Sequence, residues 1–257
     1  MIIGNKIFKD KTYIMAIINL TPDSFWEESR VDEYTVLKAA EKAVNEGADI
    51  LDIGAQSTRP NYEEVSAECE IKRLYKPLFK IKQNFDIPIS VDTYFPQVAE
   101  MALQNGADMI NDISGLTHDG MAETISKHGA SVCIMHNAPE VIEGDIWENI
   151  LPFLKSKIDL ALGAGINREK IIVDGGIGFA KTKDLNFELL NSYEKLKSLG
   201  YPLLLGASRK SMFGGRVEDR LSKTLESTRL AVQKGVLIVR VHDVAENAKV
   251  IREEYGD

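Results

Sequence analysis

The chain has 257 residues, 44% of them hydrophobic, and 31 basic against 39 acidic side chains give it a net charge of −8. That length suits one α/β barrel domain over residues 1–257, and the acidic balance argues against nucleic-acid or membrane-surface partners, which need broad basic patches. No apolar run approaches the roughly 18 residues of a membrane span, Met1-Ile2-Ile3 is too short for a signal-peptide core, and Cys69 and Cys133 have no metal-type spacing, so a cytoplasmic protein without disulfides is expected.

Met1-Ile2-Ile3, Gly4-Asn5 and Lys6-Ile7-Phe8 predict a hairpin with a two-residue turn. Its place is the bottom of a barrel. Strands are then predicted at Ile14–Ile18, Ile50–Ile53, Pro88–Val91, Met109–Ile110, Val132–Met135, Ile171–Val173, Leu203–Leu205 and Leu237–Val241. These runs are short and apolar throughout, as parallel strands covered on both faces should be. Between them, apolar residues recur at helical spacing: Val36, Ala40, Ala43; Val98, Ala102; Leu151, Leu154, Ile158, Leu162; Leu185, Leu189, Leu196; Leu221, Leu225. Gly47, Gly106, Gly129, Gly200 and Gly235 mark the helix ends. Gly47-Ala48-Asp49, Gly106-Ala107-Asp108 and Gly129-Ala130-Ser131 repeat one helix-to-strand joint. The alternative, an open doubly wound sheet, wants a glycine-rich phosphate turn after its first strand; Asn19-Leu20-Thr21-Pro22-Asp23 stands there instead. The reading is a (β/α)8 TIM barrel, a short N-terminal β-hairpin closing its bottom.

Each strand run ends in polar residues: Asn19, Asp52, Asp92, Asn111-Asp112, His136, Asp174, Ser208-Arg209-Lys210 and Arg240-Val241-His242-Asp243. In a closed barrel these ends share the rim where the chemistry sits. Asp92, Asn111 and Asp174 are three acceptor-capable groups, suited to a flat ring edge with several N–H donors, such as a 2-amino-4-oxopyrimidine. Taken singly, each could as well cap a loop or pair with a lysine. Arg59, Lys210, Arg240 and His242 supply positive charge; Arg240 and His242, two apart on an extended segment, face the same way. In an acidic protein such convergence suggests a phosphorylated substrate. For Arg240 the simpler reading is a salt bridge to Asp243 or Asp112. Asn19 offers an oxygen to Mg²⁺, or belongs only to a proline turn. His118 and His128 read as surface residues, and His136 has no metal-ligand spacing.

Together these segments resemble dihydropteroate synthase, the folate-pathway family targeted by sulfonamides. The resemblance rests on Asn19-Leu-Thr-Pro-Asp-Ser-Phe25, Asp52-Ile-Gly-Ala-Gln-Ser-Thr-Arg-Pro60, Ser90-Val-Asp-Thr93, Ile110-Asn-Asp-Ile-Ser-Gly115 and Met135-His136. It continues through Asp174-Gly-Gly-Ile-Gly-Phe-Ala-Lys181, Ser208-Arg-Lys210 and Arg240-Val-His-Asp243, in order along the whole chain. It implies a homodimeric transferase that joins 6-hydroxymethyl-7,8-dihydropterin diphosphate to p-aminobenzoate. By the same resemblance, Asp92, Asn111, Asp174 and Lys210 hold the pterin, with Met135 and Phe179 packed against it. Asn19, Arg240 and His242 take the diphosphate and Mg²⁺, helped by Arg59. Phe25, Thr58, Pro60 and Ser211 match the p-aminobenzoate pocket, and Lys210, Asp92, Asp174, Arg59 and Glu27 are the expected catalytic set.

Three segments depart from the family pattern, one of them His136-Asn137-Ala138 after Met135. Trp26-Glu27-Glu28-Ser29 follows Phe25 where Ser-Asp-Gly-Gly is usual, so Glu27 keeps a carboxylate while both glycines are lost. Gly175 and Ile177 stand where the family has proline and an aromatic residue. Two other functions fit part of the pattern: a pterin-binding paralogue without turnover, and a methyltransferase domain for methyltetrahydrofolate. Neither needs Arg59, Arg240 and His242 together.

Overall fold

A computed structural model of the chain describes residues 1–20, 33–56 and 65–256. A two-stranded antiparallel ribbon comes first, β1 (Ile2–Ile3) and β2 (Lys6–Ile7). Eight parallel strands then close into a barrel: β3 (Tyr13–Asn19), β4 (Ile50–Gly54), β5 (Ile89–Asp92), β6 (Met109–Asp112), β7 (Ser131–Met135), β8 (Ile171–Asp174), β9 (Leu203–Leu205) and β10 (Ile238–Val241), with β10 paired back to β3. The helices around it are α1 (Glu33–Glu46), α2 (Ala67–Asn84), α3 (Pro96–Gln104), α4 (Met121–Lys127), α5 (Trp147–Gly163), α6 (Lys183–Asn191), α7 (Leu221–Gln233) and α8 (Val244–Tyr255). No helix among the described residues is long and apolar enough to cross a membrane.

Every predicted strand is present, but several reach further than their apolar runs. Asn19, Asp92, Asn111-Asp112 and Asp174 are terminal strand residues rather than the first residues of loops. The backbone ladder explains this: Thr93 N–H donates to Asn111 O at 3.2 Å and His136 N–H to Asp174 O at 2.8 Å. A polar side chain does not end a strand whose backbone is still paired.

Register decides which face each residue takes. Ile17 pairs with Asp52 and Asp52 with Ser90; Asn19 pairs with Gly54, Gly54 with Asp92, and Asp92 with Asn111. Asn111 pairs with Cys133, Met135 with Asp174, and Arg240 with Met15. Since side chains alternate along a strand, this one parity places all of these residues inside the barrel. The other parity (Ile14, Ile53, Val91, Ile110, Ile134, Val173, Leu205, Val239) faces the helices and forms the main core. The lower interior is apolar: Met15, Ile50, Met109, Cys133, Ile172, Leu204 and Ile238 cluster with Ile3 and Phe8 of the N-terminal ribbon. The hairpin therefore plugs the bottom as predicted, tied there by Ser131 Oγ donating to Ile2 O at 2.5 Å.

The repeated joints have a shared purpose. Gly47 and Gly106 take φ of 104° and 94° at the ends of α1 and α3, as a C′ glycine should. Two residues on, Asp49 accepts the Ile14 N–H at 2.8 Å and Asp108 accepts the Ile89 N–H at 3.0 Å, anchoring the neighbouring strand. The predicted helix faces need correction in three places. Leu162 is 40% exposed at the end of α5. Leu196 lies in a 3-10 segment, Tyr193–Leu199, beyond α6. α7 buries Thr224, Ser227, Thr228 and Ala231 while Leu221 and Leu225 stay partly exposed. Small residues let α7 lie close to α8, and Thr228 Oγ1 donates to Asn247 Oδ1 at 2.6 Å across that contact.

Candidate active site

Above the apolar plug the barrel interior turns polar. Arg240 on β10 reaches across it, Nε to Asp52 Oδ2 and Nη2 to Asp92 Oδ2, each at 2.6 Å. Asn111 Nδ2 donates to the same Asp52 Oδ2 at 3.2 Å. Arg240 is thus neutralised by Asp52 and Asp92, not by Asp243 or Asp112. Asp243 is held by Arg209, and Asp112 accepts from Ser114 N at 2.8 Å and Leu116 N at 2.9 Å in the loop after β6. Burial works against charge on Arg240, yet Asp52 and Asp92 overcome it and hold its pKa above the ordinary arginine value. Desolvation pushes Asp92 up to about 6 despite the pull of Arg240.

Asp174 ends β8 on the opposite side. Its Oδ1 accepts the Gly176 N–H at 2.7 Å, and the Tyr193 hydroxyl lies 2.9 Å away. Tyr193 Oη also lies 2.5 Å from Leu204 O and accepts the Gly175 N–H at 2.9 Å. Proline has no such N–H, so glycine at position 175 trades ring rigidity for a bond to Tyr193. Asp174 Oδ2 takes no hydrogen bond among the described residues, and desolvation raises this carboxyl as well. Met135 packs with Tyr94 and Ile113, and Phe95 and Phe179 lean on that cluster. The result is an apolar wall beside a row of acceptors. Ile177, by contrast, is buried in the main core.

Lys210 follows β9, its Nζ 4.2 Å from the centre of the Phe179 ring. Desolvation and the neighbouring Arg240 push it down to about 8, with Asp174 and Asp92 pulling the other way. Both carboxylates favour its charged form. Gly178 leaves it room: a Cβ there would sit 3.0 Å from Lys210 Cδ. Arg209, at φ 56°, points to Asp243 and ties the loops after β9 and β10 together. Ser208 Oγ accepts the His242 N–H at 3.2 Å and lies 3.0 Å from His242 Nδ1. Ser211 is exposed at the start of a 3-10 turn, Ser211–Phe213.

Asn19 ends β3 beside Gly54, half-buried. Among the described residues no three His, Cys, Asp or Glu side chains gather as a metal set. One neutral amide oxygen fits an ion that brings phosphate oxygens and waters with it, not a resident metal. Phe25, Glu27, Thr58, Arg59 and Pro60, with Trp26, Glu28 and Ser29, lie outside the described residues. His136 is paired with a buried lysine. It is buried, and its Nδ1 accepts from Lys181 Nζ at 3.0 Å, which also donates to Gly176 O and Phe179 O. Desolvation and that lysine push His136 down to about 3. His118 is exposed and stacks on Tyr94, whereas His128 is partly buried against Glu100. Sequence reasoning left Asp52 without a partner and overlooked Tyr193 and Lys181. Asp52 carried a signal as a carboxylate inside an apolar strand run, and Lys181 as the last residue of the Asp174–Lys181 segment.

Residues 15–242 match the family model described as pterin binding enzyme. A dihydropteroate synthase of Clostridium beijerinckii is 44% identical over 261 residues, 98% of this chain and 97% of that protein. Among solved structures, the dihydropteroate synthase of Clostridium difficile, determined in the presence of pteroic acid, superposes with a TM-score of 0.94 at 43% identity, covering 97% of each chain. That of Xanthomonas albilineans with 4-aminobenzoic acid superposes at 0.92 and 33% identity, over 96% of this chain and 93% of that one. With the interior carboxylates, the lysine and the Arg240–His242 pair in one barrel mouth, the chain belongs to the dihydropteroate synthase family of pterin-binding enzymes.

Proposed function

We infer that the chain condenses 6-hydroxymethyl-7,8-dihydropterin diphosphate with p-aminobenzoate to give 7,8-dihydropteroate and pyrophosphate, the transferase step of folate synthesis. The observation that carries this reading is the shared interior parity of Asp92, Asn111, Asp174 and Arg240, with the Lys210 ammonium over the Phe179 ring nearby. The pteroic acid and 4-aminobenzoic acid held by the two relatives are a product-like molecule and a substrate of that reaction.

Asp92, Asn111 and Asp174 offer acceptors to the N–H edge of the pterin, and Met135 and Phe179 cover its face. Lys210 donates from beside Phe179. As the methylene–oxygen bond breaks, positive charge grows on a carbon conjugated to the ring and negative charge on the departing diphosphate. Asp92 and Asp174 favour the first; Arg240, His242 and Arg59 favour the second. Asn19 would hold Mg²⁺ that enters with the diphosphate, and the ion would add charge neutralisation on the leaving group. The arylamine is already neutral at pH 7 and needs no strong base. Positioning by Phe25, Thr58, Pro60 and Ser211 is its requirement, with Glu27 as the acid of the first loop. The substitution is dissociative and forms no covalent enzyme intermediate. A homodimer completes the reading, as the family resemblance implies; Leu221 and Leu225 on α7 stay partly exposed in the single chain.

The test is a product assay with pterin diphosphate, p-aminobenzoate and Mg²⁺. Dihydropteroate and pyrophosphate in equal amounts are the expected result. Pterin binding without product would leave a binding paralogue instead.

A further inference from the structure

Asp52 is the second polar break of the sequence and lies in the middle of β4, yet no substrate role falls to it. It is fully buried and makes two contacts through one oxygen: Oδ2 accepts Arg240 Nε at 2.6 Å and Asn111 Nδ2 at 3.2 Å. Oδ1 has no hydrogen-bond partner among the described residues. The register explains the position: Asp52 lies one interior layer below Gly54, whose neighbours are Asn19 and Asp92. It therefore looks up at the site from its floor.

An amide side chain carries a donor end and an acceptor end, and only its surroundings decide which faces a ligand. A carboxylate is acceptor-only. Facing Asp52, Asn111 must turn its NH2 downward, which leaves Oδ1 for the cavity, where no described residue donates to it. The same carboxylate takes the Nε–H of Arg240, so that the guanidinium lies in a set plane with Nη2 on Asp92. We propose that Asp52 is a positioning residue of the synthase reaction, orienting the Asn111 amide as an acceptor for the pterin and fixing the Arg240 guanidinium beside it. Asparagine at 52 could present an NH2 group upward, and Asn111 would then be free to turn its own donor to the pterin.

This rests on the assignment of Asn111 to the pterin, so the test separates the two. Pteroic acid affinity is measured by calorimetry for the parent, Asp52→Asn, Asn111→Ala and the double variant. The expected result is that Asp52→Asn weakens pteroic acid about tenfold in the parent but less than about twofold in the Asn111→Ala background, since coupled residues are non-additive. Equal losses in both backgrounds, or parent-like binding by Asp52→Asn, would overturn the proposal. Normal binding by Asn111→Ala alone would overturn the pterin assignment and the proposal with it. Should Asp52→Asn fail to fold, the parent protein still decides. The Asn111 side-chain NH2, identified in nitrogen-15 spectra by its loss in Asn111→Ala, should be protected from exchange in the ligand-free state. Rapid exchange there would contradict the downward amide.

Discussion

On the proposed function, Lys210 and Asp92 set the pH range in which the site works. Desolvation raises Asp92 to about 6 and, with Arg240, lowers Lys210 to about 8. The pterin edge needs the carboxylate ionised and the lysine charged, so kcat/KM for pterin diphosphate should rise with pH through about 6 and fall above about 8. Lys210→Arg keeps its charge far beyond that range; it should turn over slowly and lose the alkaline limb. A limb that persists in this variant would assign it elsewhere. Lys210→Ala should lose at least about a hundredfold in turnover with its thermal unfolding little changed, and a near-parent rate would remove Lys210 from the mechanism.

At the level of elements, the eight strands were legible because β-branched, apolar runs on both faces admit few other structures. The glycine joints were legible for an equally local reason, the left-handed turn at Gly47 and Gly106. What sequence could not show is register. The contacts of Asp52 with Asn111 and Arg240 span 59 and 188 residues, and nothing local marks them. α7 was misread because Leu221 and Leu225 looked like its inner face, whereas close approach to α8 selects Thr224, Ser227 and Thr228. Two predictions belong here. Phe8 is 3% exposed in the plug, far from the rim, so Phe8→Ala should cost about 3 kcal/mol in urea unfolding with KM within twofold of the parent. A large change in KM would show that plug and rim are coupled. Glu70, buried on α2, is pushed up to about 7 by desolvation, against the pull of the Thr93 hydroxyl and with a further push from Asp92. Folded Glu70 therefore keeps its proton where the unfolded chain has lost it. Its contribution is whole below about 4.5 and is lost as pH rises to about 7, on the order of 3 kcal/mol. Glu70→Gln should flatten the pH dependence of stability over that window; an unchanged slope would mean that Glu70 is ionised in the fold.

Across the whole molecule, one parity of side chains does two jobs. Its lower layers are apolar and sealed by Ile3 and Phe8, while its upper layer collects three carboxylates, an amide and an arginine. The plug keeps that upper layer away from solvent below, which is why the carboxylates are desolvated and why cations must meet them. On the proposed function the rim divides by ligand: Asp92, Asn111, Asp174 and Lys210 toward the pterin, and Arg240, His242 and Asn19 toward the diphosphate. Calorimetry with pteroic acid and with magnesium pyrophosphate, on Asp174→Asn and His242→Ala, reads this division directly. Asp174→Asn should weaken pteroic acid at least about tenfold and leave pyrophosphate within about twofold, while His242→Ala should do the reverse. Equal weakening of both ligands by either variant would contradict a divided rim.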